Sequence, residues 1–181
     1  MGRWTTYSKD GQSGVYLQGS MPRWKSRMKA PSFTGLKAAS QAASLAKRMN
    51  RSADTVHEKL LRRALWHRGL RFRKNLSELP GKPDIVFTRA RVAVFCDGDF
   101  WHGRRWHQLS KHLQKRANAV YWRQKIRANM LRDRRTTRLL RKLDWYVIRL
   151  WEGDIRADPE RAALQVENAL LARRKNEPCA S

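Results

Sequence analysis

The chain has little cysteine, few acidic residues and no long apolar run. Its 181 residues include two cysteines, Cys96 inside an apolar stretch and Cys179 near the end. Two cysteines cannot build the disulfide framework of a small secreted domain, so the expected compartment is a reducing cytoplasm. No segment reaches the roughly 18 consecutive apolar residues of a transmembrane helix, so no membrane span is predicted. The first residues also lack the apolar stretch of a secretory signal peptide.

The scarcity of acids leaves a strongly basic chain. There are 40 Lys and Arg residues against 15 Asp and Glu residues, a formal net charge of +25 at pH 7. Residues 103–142 contain 14 basic residues and one acid, Asp133, and residues 1–50 contain nine basic residues and one acid, Asp10. A basic run can be only a solvated helix face. An excess this large favours a polyanionic partner, so nucleic acid is the preferred interpretation, with a ribosomal or membrane-surface protein as alternatives.

Composition divides the chain into three parts. Residues 1–44 combine Gly, Ser, Pro, Lys and Arg without clear periodicity, which predicts a mostly disordered basic arm. Residues 45–174 carry the regular patterns and are predicted to form one folded domain. Residues 175–181 are predicted to be a disordered tail.

The first half of the predicted domain holds one helix and three short strands. The S/T-x-x-E pattern of Thr55 and Glu58 is a capping box that begins a helix, and Gly69 is placed to end it. Residues 70–73 alternate like a half-exposed strand. Residues 84–88 and 92–96 are β-rich runs separated by about three residues, which predicts a hairpin.

A long helix, a strand and a final helix complete the domain. Residues 118–143 predict a basic helix, whose predicted apolar side consists of Tyr121, Ile126, Met130, Leu131 and Leu139. Residues 145–151 predict another strand. Asp158 followed by Pro159 predicts a helix start, with Asp as N-cap. The order α-β-β-β-α-β-α predicts an α/β domain with a mixed sheet.

The stretch 92–103 can carry metal chemistry. An apolar strand runs into a polar turn that contains Asp97 and His102, and Asp84 lies one hairpin away. Asp84 alone would be interpreted as a turn residue that caps backbone donors. Together with neighbouring carboxylates and a backbone carbonyl, it could instead hold Mg²⁺, which phosphodiester hydrolysis uses to neutralise charge and activate water.

Two further residues have competing interpretations. A neutral His102 could act as a general base, or it could be an ordinary surface histidine. Asp133 could orient His102, or it could form an ion pair with a neighbouring arginine.

An aromatic pair and a set of polar residues are candidates for DNA contact. Phe100 and Trp101 adjoin a glycine turn on a basic chain, where an apolar pair could wedge between base steps, and Trp122 could do the same or simply pack. Lys125 and Asn129 share one helical face and can contact base edges. Three arginines of the same helix suit phosphates. They are Arg132, Arg134 and Arg135.

Short motifs follow one another in order between residues 45 and 155. They are Asp54-Thr55-x-x-Glu58, Arg62-Arg63-Ala64-Leu65, Leu79-Pro-Gly-Lys-Pro-Asp84-Ile-Val-Phe, Arg89-Ala-Arg-Val-Ala-Val-Phe95, Asp97-Gly98-x-Phe100-Trp101-His102-Gly103, Tyr121-Trp122-x-x-Lys125-Ile126-x-x-Asn129-x-x-Arg132-Asp133 and Trp145-x-Val-Ile-x-x-Trp151-Glu152. Each is weak alone, but the ordered series is specific. It resembles the very-short-patch-repair (Vsr) endonucleases, a branch of the PD-(D/E)XK nuclease superfamily.

The resemblance implies a restriction-endonuclease-like α/β core, a mixed sheet flanked by helices. It implies a cytoplasmic, DNA-associated bacterial enzyme that acts as a monomer and uses Mg²⁺ to nick one strand of double-stranded DNA beside a T:G mismatch. In family terms Asp84 and the backbone carbonyl of Cys96 would hold the metal. His102 would be the general base and Asp133 its carboxylate partner.

The resemblance also assigns the remaining site residues. Glu58 would help to hold the metal-bound water, although its role in the capping box is an equal alternative. Asp97 occupies another active-site position. The aromatic residues Phe100, Trp101 and Trp122 would intercalate, and Lys125 and Asn129 would lie at the mispaired bases.

One departure from the family concerns metal. The family usually has a structural zinc near the active-site loop, and the corresponding positions here carry Asp99, Arg104 and Gly153. Arginine cannot ligate zinc and two distant cysteines cannot rebuild the site, so no structural zinc is expected. An ion pair from Asp99 to Arg104 or Arg105 is expected to hold the loop instead.

Two other functions compete with mismatch repair. The first is a nicking nuclease of the same fold that serves a defence or restriction system and has other or relaxed DNA specificity. The second is a DNA-binding module whose nuclease centre has decayed. The presence of Asp84, His102 and Asp133 argues against the second.

Overall fold

The computed structural model describes residues 6–9, 12–15, 54–116 and 118–175. Near the start of the chain, β1 (Thr6–Lys9) and β2 (Gln12–Val15) pair as an antiparallel hairpin. The rest of the predicted basic arm, and nearly all of the predicted tail, lie outside the described residues, so the expectation of disorder there stays a prediction. In the described part, no helix is long and apolar enough to cross a membrane.

Helix α1 (Val56–His67) begins and ends as the sequence predicts. Thr55 is the N-cap, and its hydroxyl accepts a hydrogen bond from the backbone N–H of Glu58 at 3.5 Å. At the other end Gly69 has a φ of 75°, a left-handed conformation that glycine adopts without strain. The Leu70 N–H bonds to the Leu65 carbonyl at 3.0 Å, which makes this end a Schellman motif.

A four-stranded mixed sheet forms the centre of the domain, in the order β3-β4-β5-β6. Strands β3 (Arg73–Lys74), β4 (Ile85–Phe87) and β5 (Val92–Asp97) are antiparallel. The predicted hairpin is therefore confirmed, with Ile85 opposite Val94. Strand β6 (Tyr146–Trp151) runs parallel to β5.

Helices cover both faces of this sheet. Helix α2 (Trp106–Gln114) and the long helix α3 (Ala119–Lys142) connect β5 to β6, as a parallel pair requires. Helix α4 (Glu152–Ala157) and helix α5 (Pro159–Lys175) follow β6. Asp158 caps α5 as predicted, because its carboxylate accepts the Arg161 N–H at 2.8 Å.

Alternation along β5 assigns its side chains to two cores. Val92, Val94 and Cys96 pack with α1 and α5, whereas Ala93 and Phe95 pack with Leu140 of α3. The alternation continues into the last residue of the strand, so Asp97 is expected on the α3 face. On this side Asp97 and Asp133 meet His102.

The structure differs from the predicted local structure in three respects. The strand predicted over residues 70–73 is a two-residue strand at Arg73–Lys74, because Leu70 and Phe72 alternate in burial with their neighbours and pack against the core but only Arg73 and Lys74 pair with β4. Leu131, predicted on the buried side of α3, is 48% exposed, and Leu140 is fully buried in its place. Helices α2 and α4 were not predicted at all.

Candidate active site

Asp84 is held against the end of β5 by its own backbone and side chain. Its N–H bonds to the Val94 carbonyl at 3.0 Å, which continues the hairpin ladder by one residue. Its Oδ2 accepts the N–H of Cys96 at 2.7 Å. The structure therefore brings the Asp84 carboxylate to the backbone of Cys96, the residue whose carbonyl is the other predicted metal ligand.

The surroundings of Asp84 favour a cation. Burial raises the pKa of Asp84 to about 6, the hydrogen bond from Cys96 opposes that rise, and the nearby Glu58 and Asp97 carboxylates add to it. A buried carboxylate beside like charges is relieved by a positive ion. In residues 54–116 and 118–175, no three His, Cys, Asp or Glu side chains cluster closely enough to hold a metal. The donors present fit Mg²⁺, which commonly takes one or two carboxylates and completes its shell with water and phosphate.

The Cys96 thiol contributes no charge to this place. Burial, followed by the neighbouring Asp84 and Glu58 carboxylates, raises the pKa of the thiol well above its ordinary value. The neutral, buried thiol is neither a nucleophile nor a metal ligand. Any contribution of Cys96 to metal binding would come from its backbone, as the sequence predicts.

Glu58 makes the contacts of the capping box, and its carboxylate also interacts electrostatically with that of Asp84. It is 3% exposed, and its carboxylate accepts the Thr55 hydroxyl at 2.7 Å and the Asp54 N–H at 2.9 Å. Arg62 approaches it at 3.5 Å. The cap thus holds this carboxylate rigidly beside Asp84, so its two interpretations are compatible.

His102 joins two carboxylates from different elements. Its Nδ1 lies 2.6 Å from Asp133 Oδ2 on α3 and 3.5 Å from Asp97 Oδ1 at the end of β5. Burial opposes ionisation of Asp133, but the hydrogen bond with His102 and the positive charges of Arg149 and Arg132 outweigh it and lower its pKa. With the proton on Nδ1 facing these carboxylates, the ring presents Nε2 as a proton acceptor.

Arg149 completes this group, and sequence analysis missed it. Its guanidinium donates to Asp97 through Nε at 2.6 Å and Nη2 at 2.7 Å, and Nη2 lies 3.1 Å from Asp133 Oδ1. Arg149 sits opposite Phe95 in the β5–β6 ladder, with its guanidinium 4.7 Å from that ring. An alternating strand would place it on the α3 face, but only the parallel register shows that it reaches both carboxylates.

The predicted wedge residues form one aromatic cluster beside His102. Phe100 lies 5.2 Å from Trp101 and 5.5 Å from Trp122, measured between ring centroids, and the two indoles are 5.7 Å apart. All three side chains are partly exposed. Trp122 also contacts Tyr121 edge to face at 5.1 Å. The cluster packs α3 against residues 98–103, the turn that follows β5 and is called the active-site turn below. It leaves apolar surface accessible.

The polar residues predicted to contact DNA differ in their surroundings. Asn129 is 6% exposed and donates from Nδ2 to the Trp101 carbonyl at 3.0 Å, which holds the active-site turn to α3. Lys125 is partly exposed. The predicted phosphate contacts are exposed on α3. They are Arg132, Arg134 and Arg135.

Sequence comparisons identify the family to which this arrangement belongs. The family described as DNA mismatch endonuclease Vsr matches residues 38–108. The type II nicking enzyme V.HpaIIP of Haemophilus parainfluenzae is 37% identical over 127 residues, 70% of this chain and 89% of that protein. The chain belongs to the Vsr family. V.NmeDIP of Neisseria meningitidis serogroup C is 39% identical over 121 residues, 67% of this chain and 80% of that protein.

Membership of the Vsr family makes the chain a DNA-nicking endonuclease. The DNA mismatch endonuclease Vsr of Escherichia coli (strain K12) is 37% identical over 103 residues, 57% of this chain and 64% of that protein. The predicted enzyme class and the predicted DNA partner are therefore confirmed. The roles of individual site residues stay predictions.

An ion-pair clamp occupies the place where the resemblance to the Vsr family locates zinc. Arg104 lies between Asp99, with Nη1 at 3.4 Å, and Asp154 of α4, with Nη2 at 2.5 Å. Asp99 also accepts the Gly153 N–H at 3.3 Å. A Cβ at Gly153 would lie 2.6 Å from Arg104 Nη1 and 2.7 Å from Asp99 Oδ2, so a larger residue there would displace the side chains of the clamp. This clamp is the Asp99–Arg104 contact expected from the sequence, extended by Asp154.

The raised pKa of Asp84 predicts that Asp84→Asn stabilises the metal-free protein. A pKa of about 6 instead of 3.8 means that the folded state resists ionisation, so stability is lost as pH rises from 3.8 through 6. The cost at pH 8 is no more than about 3 kcal/mol. Chemical denaturation with a chelator should show Asp84→Asn more stable by about 1–3 kcal/mol at pH 8, with the gain disappearing near pH 4.

Asp144→Asn is the matched control for that experiment. The hydrogen bond from Arg173 is the main cause that lowers the pKa of Asp144, so removing its charge should slightly lower stability at pH 8. Equal effects of the two substitutions at pH 8 would contradict the electrostatic explanation for Asp84.

Arg149 is predicted to couple energetically to Asp97. Asp97 has a side chain that is 5% exposed, so Arg149→Met should leave a buried unpaired carboxylate and destabilise the fold by about 3–5 kcal/mol. Nicking should also slow, because Asp133 loses an anchor. The double variant Asp97→Asn/Arg149→Met should recover at least about 1.5 kcal/mol relative to the sum of the single losses, measured by denaturation. Additive losses would show that the pair does not act as a unit.

Proposed function

We propose that this Vsr-family endonuclease acts as a monomer that uses Mg²⁺ to nick one strand of double-stranded DNA beside a T:G mismatch. The observation that carries the proposal is the adjacency of two groups on one turn. The His102–Asp133 pair can move a proton, and the partly exposed cluster of Phe100, Trp101 and Trp122 can distort DNA. A nuclease specific for distorted pairs needs both functions within a few residues.

The proton chemistry follows from the orientation of His102. Asp133 holds Nδ1 of the imidazole, so Nε2 can accept the proton of an attacking water molecule. Arg149, itself held by Asp97, contacts Asp133 from the other side and restricts rotation of the pair. Asp84 and the Cys96 carbonyl would hold Mg²⁺, which supplies charge neutralisation at the phosphate when it is bound.

The aromatic cluster supports recognition of a mispair. Inserting an apolar side chain between base steps costs a few kcal/mol of stacking, and this cost is smaller where the bases are already mispaired. The rings are preassembled by contact with one another, so little side-chain freedom is lost when they enter the helix. The enzyme would therefore distinguish a mispaired duplex from a matched one by the lower free energy needed to distort the mispaired DNA.

A restriction-associated function is a second candidate. The relatives V.HpaIIP and V.NmeDIP are named type II nicking enzymes. The present chain could therefore serve a defence or restriction system with other or relaxed DNA specificity. The same catalytic group would serve either function, so the choice of substrate separates them.

Nicking of a duplex panel separates these functions. With Mg²⁺, a T:G duplex should be nicked in one strand at least about a hundredfold faster than its T:A counterpart, because only the mispair lowers the cost of insertion. Fluorescently labelled strands resolved on denaturing gels give both rates. Equal rates on matched and mismatched duplexes would remove the repair function and favour the second candidate.

Asp84→Ala is the control for the catalytic assignment. It should abolish nicking and leave the affinity for T:G duplex within about threefold, since the aromatic cluster and α3 are untouched. Nicking at the unchanged rate would show that Asp84 is not the metal ligand.

We also infer that no structural zinc is needed, because the Asp99–Arg104–Asp154 clamp holds the turn. Elemental analysis of protein purified without chelator should find less than about 0.1 zinc per chain, and chelator should not change the melting temperature. Arg104→Met should lower that temperature, whereas Arg105→Met, at the neighbouring position, should leave it nearly unchanged. One tightly bound zinc per chain would contradict this proposal.

A further inference from the structure

A basic cleft adjoins the catalytic group, and none of the three aromatic cluster residues lines it. Its volume is about 710 Å³, and His102, Asp133 and Arg149 form part of its wall. The cleft continues along the last turns of α3, where Arg138, Arg141 and Lys142 line it. None of these last three residues belongs to the set predicted to bind DNA.

The cationic side chains recur along one face of α3. Arg134, Arg138 and Arg141 follow at spacings of four and three residues, which place them on one side of the helix, and Lys142 lies at the edge of that side. From Asp133 to Lys142 the helix rises about 13 Å. This distance corresponds to about four base steps along a DNA strand.

No described acidic residue neutralises the charge of this face. No described carboxylate forms an ion pair with Arg138, Arg141 or Lys142, and Arg138 and Arg141 are exposed. Arg149, deeper in the same cleft, has its charge compensated by Asp97 and Asp133. Elsewhere Arg62, Arg68 and Arg173 are each paired with acids. At the catalytic end of the cleft, the positive charge of Arg149 is balanced by carboxylates. Farther along, the charges of Arg138, Arg141 and Lys142 have no described acidic partner.

We propose that this cleft binds backbone phosphates of the DNA strand within about four nucleotides of the nick, through Arg138 and Arg141. These phosphates would enter the cleft where the DNA strand passes His102. The position relative to the nick rests on the proposed role of His102, whereas the binding of DNA by the cleft does not. Phosphodiester oxygens suit exposed arginines, which can donate two hydrogen bonds to one phosphate.

The test compares two double variants that remove the same charge. Arg138→Gln/Arg141→Gln neutralises the cleft, and Arg161→Gln/Arg174→Gln neutralises exposed residues of α5, on the opposite face of the sheet. Affinity for matched and mismatched duplexes is measured in chelator over a range of salt concentrations. The cleft variant should bind at least about tenfold more weakly, and its slope of log affinity against log salt should be shallower by about 1.8.

Ethylation interference then locates the contact. Wild-type binding should be blocked by ethylation of one or more phosphates within about four nucleotides of the nick, and the cleft variant should be insensitive at those positions. The α5 variant should retain the wild-type pattern and slope. Equal slopes for the two double variants, or an unchanged interference pattern in the cleft variant, would overturn the proposal. Because binding is measured without divalent metal, the comparison of affinities and salt slopes depends neither on mismatch preference nor on His102, whereas the interference positions relative to the nick depend on both.

Discussion

The contact of the Arg149 guanidinium with two carboxylates fixes the geometry on which the rest of the site depends. Asp97 ends β5, Asp133 lies on α3, and Arg149 lies on β6, so one side chain joins three elements that are distant in sequence. A bidentate contact restrains both position and angle, which a single lysine contact would not do. The orientation of His102 follows, because its hydrogen-bond partner Asp133 is restrained on the side opposite the ring.

The site separates its charges into two regions that have different tasks. Around Asp133, the neighbouring histidine and arginines favour the ionised carboxylate, and its pKa is lowered despite burial. Around Asp84 no such cation is close enough to outweigh burial, and its pKa rises to about 6. Burial acts in the same direction on both carboxylates, so the neighbouring charges decide the difference. The uncompensated carboxylate is the one that a metal ion would stabilise, which fits a division between metal binding at Asp84 and proton transfer at His102.

Much of the fold could be predicted because its signals are local. The capping box at Thr55, the glycine at position 69 and the alternating runs around Asp84 are each readable from a few neighbouring residues, and each matches an observed element. Leu131 was assigned to the wrong face because an apolar residue on a long helix is buried only where another element covers it. The sheet covers Leu140 instead, and that information lies in the tertiary arrangement.

In the candidate site too, contacts that depend on the tertiary arrangement could not be predicted from the sequence. Asp84, His102 and Asp133 were predictable because their motifs resemble a family, and the structure brings them together. Arg149 carried no such signal, since an arginine inside a strand usually faces solvent. Its partners become visible only when Phe95 is placed opposite it in the parallel ladder. Asn129 is a comparable case, because an amide predicted to reach DNA donates to the backbone of Trp101.

The active-site turn is therefore restrained from both sides by polar contacts that do not require a metal. Asn129 holds the carbonyl of Trp101, and the Arg104 clamp joins Asp99 to α4. Between these two attachments the chain carries Phe100, Trp101 and His102, so these three side chains are positioned by the same two contacts. An ion-pair clamp is weakened by salt and by exposure, whereas a zinc site is not. Insertion of the aromatic residues into DNA should consequently depend on ionic strength through the clamp as well as through the phosphates.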